Sequence, residues 1–432
     1  GVWFFGTNAS YYVQRCKVAD NVMEMGGAGG FGIMIEFANV TSITGNVVND
    51  PGSYGIWNSL SVRTTVSGNS VSSSGSSGIR NASSPYATIS GNSIQDSGSD
   101  GIQNDSSSDV AITGNAVYNS ATSGIANSGA VVTISGNTVR IAGSFGVYSG
   151  SSRCVISSNT IESAAGDGIY NNWGTYASIS GNVVYAPGGM GIHNEGAVVS
   201  ITGNSISWAG TYGIYNQYGD EVAIGSNVVY YPGAMGICSD GEWFDYSARV
   251  DIDGNTIIGS TKAIWADYSW RAKIDGNMID GCSQQGIYGE NQEFMTVSNN
   301  TVLMGNAGWR AIELAGGTRY AVVSGNQTYS GWDGIFVNSD APLVTGNHTI
   351  AAGASCIYFG GNQGTCTGNR ADSGVWYGLY GWGSDSTYTG NVCRWNGTQF
   401  YLWGSNNQIT GNHMGWAGVT DVGAGNWYAN NR

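Results

Sequence analysis

The sequence predicts an all-β solenoid, because one pattern returns about every 22 residues along its 432 residues. Each copy carries a Gly-Asn step between two aliphatic positions, and a Gly-aliphatic step follows about ten residues later. A unit this short cannot bury a core alone, so successive units must stack on one another. The recurring Asn residues are Asn46, Asn69, Asn92, Asn115, Asn137, Asn159, Asn182, Asn204, Asn227, Asn255, Asn277, Asn300, Asn326, Asn347, Asn369, Asn391 and Asn412, with Asn21 as a possible earlier copy.

Each repeat has the composition of three short strands. Its aliphatic residues are mostly β-branched and stand in runs of three to five, which Gly, Asn or Ser interrupts. Such runs are typical of strands, and no stretch has the period of a helix. Three strands per repeat, each followed by a bend, predict a right-handed, single-stranded parallel β-helix of about 17–18 coils with roughly 22 residues per coil.

The repeat predicts one solenoid over residues 1–432. Residues 1–39 form irregular N-terminal coils, residues 40–360 regular coils, and residues 361–432 aromatic-rich, degenerate coils in which Cys366 and Tyr388 occupy core positions. The ends of a solenoid need to be covered. We therefore expect a longer parent chain or another subunit to cover the N-terminal end.

Two columns of Asn are predicted to be structural. Asn tolerates a left-handed backbone at a bend, and stacked side-chain amides can bond one another from coil to coil. A residue type that recurs in every coil does not mark a single ligand site. The second column lies two residues after the Gly-aliphatic step and contains Asn58, Asn81, Asn104, Asn127, Asn171, Asn194 and Asn216.

Composition narrows the function classes. The formal net charge of −14 and the pI near 4.4 argue against nucleic acid and anionic membranes as partners. No apolar run is long enough to span a bilayer. The seven Cys form no CxxC pair and the three His do not cluster with them, so we predict neither a metal site nor a cofactor. A surface rich in Ser, Thr, Asn and Gly favours an extracellular or cell-surface protein.

The repeat resembles the right-handed parallel β-helix repeat family of pectate-lyase-like and tailspike-like solenoids. Ser90-Gly91-Asn92-Ser93-Ile94 followed by Gly101-Ile102 shows the family's rung, and the resemblance covers essentially the whole chain. It implies the fold and polysaccharide as a partner. It implies no catalytic residue, because the chain has no His between two Gly, no Arg-Ile-Lys and no Asp-Pro-His.

Charge is concentrated in the interval from Asp240 to Glu290. This interval holds thirteen charged residues, whereas the whole chain has 15 basic and 29 acidic residues. Two adjacent coils there read Arg249-Val-Asp251-Ile-Asp253 and Arg271-Ala-Lys273-Ile-Asp275. Coils in register place Arg249 beside Arg271, Asp251 beside Lys273, and Asp253 beside Asp275. Alternation along a strand turns all six outward, into what we term the charged plaque.

The charged plaque has three interpretations. Asp251, Asp253, Lys273 and Asp275 could be the catalytic residues of a polysaccharide lyase or hydrolase, since two carboxylates about one coil apart suit acid–base or nucleophilic chemistry. The candidate substrate-binding residues are then Arg249, Arg271, Trp243, Tyr246, Trp265 and Trp270. Alternatively, Asp251 pairs with Lys273 across the strands in a purely structural role, or the plaque binds a cation or ligand.

Aromatic residues leave two functions open. The chain has 25 Tyr and 15 Trp, many outside the core columns. Flat amphipathic side chains stack on sugar rings, which favours a protein that engages polysaccharide, as an enzyme or as a binding module. The same side chains anchor protein interfaces, which favours a non-catalytic filament, sheath, adhesin or spike shaft that assembles into homo-oligomers, end to end or laterally.

Overall fold

The computed structural model describes residues 1–6, 13–27, 29–241, 249–305, 308–415 and 418–432. Regular structure in these residues consists of short β-strands. None of them forms a helix of the length and hydropathy that crossing a membrane requires. The chain divides into two compact units, Gly1–Tyr215 and Asn216–Arg432.

Three parallel sheets build each unit, and we name them by their place in the repeat. The Gly-Ile sheet holds the strands that follow the Gly-aliphatic step. The pre-Asn sheet holds the strands that end just before the Gly-Asn step, and the post-Asn sheet holds those that begin after it. One strand of the Gly-Ile sheet, Ile214–Gln217, contains the division between the units.

The strands of the first unit are short and regularly spaced. Its Gly-Ile sheet contains Val2–Phe5, Ile33–Glu36, Ile56–Ser59, Ile79–Ala82, Ile102–Asp105, Ile125–Asn127, Val147–Ser149, Ile169–Asn171 and Ile192–Asn194. Its pre-Asn sheet contains Val13–Gln14, Lys17–Ala19, Ala38–Thr44, Val62–Ser67, Thr88–Ser90, Ala111–Thr113, Thr133–Ser135, Val155–Ser157, Ser178–Ser180 and Ser200–Thr202. Its post-Asn sheet contains Val22–Glu24, Val47–Asn49, Ser70–Ser72, Ser93–Ser97, Ala116–Ser120, Thr138–Ala142, Thr160–Glu162, Val183–Tyr185 and Ser205–Ser207.

The second unit follows the same plan. Its Gly-Ile sheet contains Met235–Asp240, Lys262–Asp267, Ile287–Glu290, Ile312–Ala315, Ile335–Val337, Ser355–Phe359, Tyr377–Gly381, Thr398–Leu402 and Val419–Asp421. Its pre-Asn sheet contains Val222–Gly225, Arg249–Asp253, Arg271–Asp275, Phe294–Ser298, Val322–Ser324, Leu343–Thr345, Thr365–Thr367, Thr387–Thr389, Gln408–Thr410 and Trp427–Ala429. Its post-Asn sheet contains Val228–Tyr230, Thr256–Ile258, Met278–Cys282, Thr301–Met304, Gln327–Tyr329, His348–Ile350, Arg370–Asp372 and Val392–Arg394.

Strands of successive turns pair in parallel, with equivalent residues opposite one another. Ile79 lies opposite Ile102 in the Gly-Ile sheet, and Ile89 lies opposite Ile112 in the pre-Asn sheet. The two units together hold about 18 turns. The predicted all-β parallel β-helix is confirmed, whereas the predicted segment boundaries near residues 39 and 360 stay predictions.

Side-chain alternation builds the core. In the three-residue strand Thr88–Ser90 the central Ile89 is fully buried and its two neighbours are half-buried. Gly91, which starts the bend, has φ of 62°, a left-handed conformation that costs glycine little. Gly101 is required for another reason, since a Cβ there would lie 2.2 Å from Val117 Cγ1 of the next turn.

The Asn columns are hydrogen-bonded ladders. In the first unit Asn46 Nδ2 donates to Asn69 Oδ1 at 2.9 Å, and Asn21 Nδ2 donates to Asn46 Oδ1 at 2.8 Å. Asn21 is therefore the earlier copy that the spacing indicated. In the second unit the ladder continues past the predicted column, because Asn412 Nδ2 donates to Asn431 Oδ1 at 3.0 Å. The amides of the column are paired from turn to turn, which confirms the predicted ladder.

The second Asn column and the degenerate core positions also behave as predicted. Asn58 Nδ2 donates to Asn81 Oδ1 at 2.7 Å, and Asn81 Nδ2 donates to Asn104 Oδ1 at 2.8 Å. Cys366 and Tyr388 are fully buried. All seven Cys are unpaired and buried, so they pack as small apolar side chains.

Candidate functional site

The charged plaque lies on the pre-Asn sheet of the second unit, on two paired strands. Its register is the predicted one, with these pairs opposite one another: Arg249 and Arg271, Asp251 and Lys273, and Asp253 and Asp275. Asp251 and Asp253 are exposed, while Lys273 and Asp275 are half-buried. The structure therefore brings the six predicted residues together on an outer sheet face.

Ion pairing within the plaque differs from the predicted pairing of Asp251 with Lys273. Lys273 Nζ lies 3.4 Å from Asp275 Oδ2, on its own strand. Asp275 Oδ1 accepts hydrogen bonds from Ser298 Oγ at 2.6 Å and Asn299 Nδ2 at 3.0 Å. These bonds, with the Lys273 ammonium, hold the pKa of Asp275 below its usual range. Asp275 is thus an ionised carboxylate near neutral pH and not a proton donor.

The four predicted binding residues that the structure describes lie in three places. Arg249 and Arg271 lie in the plaque, and Trp243 and Tyr246 lie outside the described residues. Trp265 lies in the Gly-Ile sheet, on the strand Lys262–Asp267. Trp270 is an exposed residue just before the pre-Asn strand Arg271–Asp275.

A second set of acidic side chains lies on the Gly-Ile sheet of the same turns. Asp240 is opposite Asp267, and Asp267 is opposite Glu290, at the ends of three successive strands. Equivalent atoms on neighbouring strands are about 4.8 Å apart. We term Asp240, Asp267 and Glu290 the carboxylate row.

Asp267 is the central member of the row and is 5% exposed. Burial raises the pKa of its carboxyl to about 6, and the negative charges of Glu290 and Asp240 act in the same direction. Asn291 Nδ2 at 3.1 Å and the Tyr268 backbone N–H at 2.8 Å both donate to Asp267 Oδ1 and oppose this rise. Asp267 can therefore hold a proton in mildly acidic solution.

Glu290 has a different environment, because Tyr288 Oη donates a hydrogen bond of 2.7 Å to its Oε2. Burial and the Glu290 carboxylate raise the pKa of Tyr288 well above its usual value. The phenol therefore stays protonated and donates to the Glu290 carboxyl group. Two neighbouring carboxyl groups in unlike environments can serve as an acid and a nucleophile or base.

A cation and two rings border the row. Lys262 Nζ lies 4.8 Å from the centre of the Trp265 ring and 4.6 Å from that of Tyr288. These cation–π contacts place a positive charge beside flat side chains that suit a sugar ring. Cys238, opposite Trp265, is buried, and burial with the neighbouring carboxylates raises the pKa of its thiol. It is therefore a protonated thiol and not a nucleophile.

Other aromatics in the second unit stack on one another. Phe336, Tyr358, Tyr380 and Tyr401 follow each other on successive Gly-Ile strands, with centroid separations of 4.4, 5.0 and 5.2 Å and interplanar angles of 21°, 15° and 3°. Rings this close and this parallel are too wide to lie side by side, so they turn faces toward each other and edges outward. This column, the tyrosine ladder, is suited to packing more than to sugar stacking.

Sequence reasoning located the charged interval but missed the row. Asp240, Asp267 and Glu290 each lie three residues after a fully buried Ile, namely Ile237, Ile264 and Ile287. That repeated offset marks one outer column of the Gly-Ile sheet. It is the signal that could have identified the row.

Comparison with protein families gives two matches. The family model described as right handed beta helix region matches residues 1–149 and 188–349. The model of the periplasmic copper-binding protein NosD matches residues 77–231. A comparison with curated protein sequences gives no match.

Solved structures with a similar chain path share little sequence with this protein. A mutant of the periplasmic alginate epimerase AlgG has 11% identity and a TM-score of 0.41, over 75% of this chain and 77% of that chain. The GH87 α-1,3-glucanase catalytic unit of Streptomyces thermodiastaticus has 14% identity and a TM-score of 0.35, over 95% and 63%. A mutant tailspike protein of an E. coli bacteriophage has 12% identity and a TM-score of 0.40, over 94% and 74%.

Proposed function

The chain belongs to the right-handed β-helix family, and on that premise we propose that it binds polysaccharide on the Gly-Ile sheet and hydrolyses it at the carboxylate row. The family match also confirms the predicted handedness. The observation that carries the proposal is the raised pKa of Asp267 one strand away from Glu290. An extracellular or cell-surface location is part of the proposal, supported by the low charge and the polar surface.

The spacing of the row supports a retaining mechanism. One strand step is about 4.8 Å, close to the ~5–5.5 Å between the two carboxyl groups of retaining glycosidases. Asp267 donates its proton to the glycosidic oxygen, and Glu290 attacks the anomeric carbon to form a glycosyl ester as that bond breaks. The Asp267 carboxylate then takes a proton from water, whose oxygen displaces Glu290 and releases the sugar.

The neighbouring residues fit hydrolysis. Tyr288 is held protonated beside Glu290, so its phenol does not supply the base that a lyase needs to remove a proton from the sugar ring. Lys262 with Trp265 and Tyr288 can orient a sugar through its hydroxyl groups and C–H face. The charged plaque stays a competing prediction for the catalytic residues, and variants separate the two.

The test is product analysis on a panel of polygalacturonate, alginate, laminarin, xylan and dextran. We expect new reducing ends from at least one polymer, no ultraviolet-absorbing unsaturated ends, and retained anomeric configuration by NMR. Glu290→Gln should lower turnover at least about 100-fold, because it removes the nucleophile. Glu162→Gln, which alters an exposed ion pair with Arg140 in the first unit, is the matched control. Unsaturated products, or full activity of Glu290→Gln, would contradict the proposal.

Self-assembly is a second candidate function, and exposed aromatic side chains support it. Trp3 is 67% exposed and Trp395 is 73% exposed. Exposed aromatics of this size are typical of interfaces. If the protein is a structural element, sedimentation should show defined oligomers that grow with concentration, and none of the panel polymers should be shortened.

A further inference from the structure

We propose that the turn between the Gly-Ile and pre-Asn sheets of the second unit binds an uncharged hexose unit. A groove of about 430 Å³ lies there, and we term it the turn groove. Its lining residues are Trp270, Asn291, Gln292, Glu293, Gly317 and Arg319. The inference rests on the proposed function, because Asn291 both lines the groove and donates to Asp267 of the carboxylate row. A sugar in the groove would thus be part of the chain presented to the row.

Gln292 points to a ligand with hydroxyl groups. Its side chain is 1% exposed, and its Nε2 donates to the Glu290 carbonyl oxygen at 3.0 Å. Its Oε1 is buried and has no hydrogen-bond partner among the described residues. A buried acceptor left unpaired costs about 1–3 kcal/mol. A sugar hydroxyl that donates to Gln292 Oε1 would remove that cost.

Trp270 supplies a flat apolar surface at the same groove. It is 43% exposed, and its ring meets Phe294 at 5.6 Å with an interplanar angle of 66°. This tilt differs from the near-parallel rings of the tyrosine ladder, in which neighbours cover each other's faces. An indole in this position can pack against the C–H face of a hexose.

The charges of the groove favour an uncharged sugar. Arg319 Nη1 lies 3.8 Å from Glu293 Oε2, so one cation and one anion of the lining compensate each other. Such a pair offers donors and acceptors to hydroxyl groups and gives a carboxylate little net attraction. The backbone holds this arrangement, since the Arg319 N–H donates to the Gln292 carbonyl oxygen at 2.8 Å.

The test measures binding without cleavage. Fluorescently labelled cellohexaose, laminarihexaose and mannohexaose, with hexagalacturonate as the acidic probe, are titrated into Asp267→Asn protein. We expect saturable binding of a neutral hexaose that Trp270→Ala and Gln292→Met each weaken about tenfold. Tyr320→Ala is the matched control, because Tyr320 is an exposed aromatic stacked on Phe294 that does not line the groove. If Gln292→Met fails to fold, Trp270→Ala decides the test, because Trp270 is exposed.

Three results would overturn the inference. The first is that no neutral hexaose binds. The second is that the Trp270 and Gln292 variants bind a neutral hexaose as tightly as the Asp267→Asn parent does. The third is that only hexagalacturonate binds and that its binding requires Arg319. The two proposals fail separately. If the wild type cleaves polymer and the groove variants bind hexaoses normally, the turn groove is excluded and the carboxylate row is retained. If the groove variants lose hexaose binding and the wild type cleaves no polymer, the turn groove is retained and the carboxylate row is excluded.

Discussion

The second unit carries two sets of acidic side chains in the same turns, the charged plaque on the pre-Asn sheet and the carboxylate row on the Gly-Ile sheet. In each set a carboxyl group lies one strand step from another, as Asp253 does from Asp275 and Asp267 from Glu290. The pKa of Asp275 is lowered, while the pKa of Asp267 is raised to about 6. Spacing alone therefore does not decide what a pair of carboxyl groups can do.

Burial and hydrogen-bond donors cause the difference. The Asp275 side chain is 25% exposed and has Ser298, Asn299 and Lys273 to stabilise its charge. Asp267 is nearly buried, and the opposing donors Asn291 and Tyr268 do not offset the loss of water. The environment of the plaque thus keeps Asp275 ionised, and that of the row suits Asp267 to proton transfer.

The largest expected effect is on turnover. Asp267→Asn should lower kcat on a cleaved polysaccharide by at least about 100-fold, because it removes the proposed general acid. Wild-type activity should also fall as pH rises above about 6, where Asp267 loses its proton. Initial rates of reducing-end release across pH measure both effects.

The competing variant is Asp275→Asn, which should lower kcat far less than Asp267→Asn does. Asp385→Asn, an exposed acid in a remote turn, is the control for the substitution itself. The reverse order, with activity lost in Asp275→Asn and kept in Asp267→Asn, would place the chemistry in the charged plaque, as the sequence predicted.

The fold could be predicted from the sequence because the same Asn position recurs in successive turns. The repeat period, which is visible in the sequence alone, predicts the Asn ladder, the core Ile column and the parallel register. Asn431 was missed because it lies 19 residues after Asn412, short of the repeat length. The register of the charged plaque was predicted correctly, because Arg249 and Arg271 occupy the same position in consecutive repeats.

The acid–base properties could not be predicted in this way. They depend on how much water reaches a carboxyl group and on donors from the next turn, such as Asn291 beside Asp267 and Ser298 beside Asp275. Sequence places these residues in register, but exposure depends on the turns that cover them. The charged interval was therefore found, while the face that bears a proton donor was not.

A smaller effect is expected on the stability of the protein, from a substitution in the carboxylate row. Because the pKa of Asp267 is raised in the folded protein, this carboxyl group contributes fully to stability below the usual aspartate pKa near 4. That contribution is lost as pH rises through about 6. Asp267→Asn keeps an Oδ1 acceptor for Asn291 and Tyr268 and removes the penalty. We expect unfolding free energy at pH 8 to rise by on the order of 2 kcal/mol, with no gain at pH 4. Denaturant unfolding at the two pH values measures this, and a loss of stability at pH 8 would show that the buried charge is not the dominant cost.

The smallest expected effect has the opposite sign and lies in the plaque. The lowered pKa of Asp275 contributes stability above the usual aspartate pKa, and this contribution is lost as pH falls through the folded-state value. Asp275→Asn weakens charge-assisted bonds from Ser298 and Asn299 and removes the partner of Lys273, so it should cost about 1 kcal/mol at pH 7 and little near pH 2. Lys273→Met tests how much of this comes from the ion pair, which is half-exposed and should contribute at most about 0.5 kcal/mol. If Asp275→Asn instead stabilised the protein at pH 7, as Asp267→Asn should at pH 8, the two carboxyl groups would share one environment and the contrast between the sheets would fail.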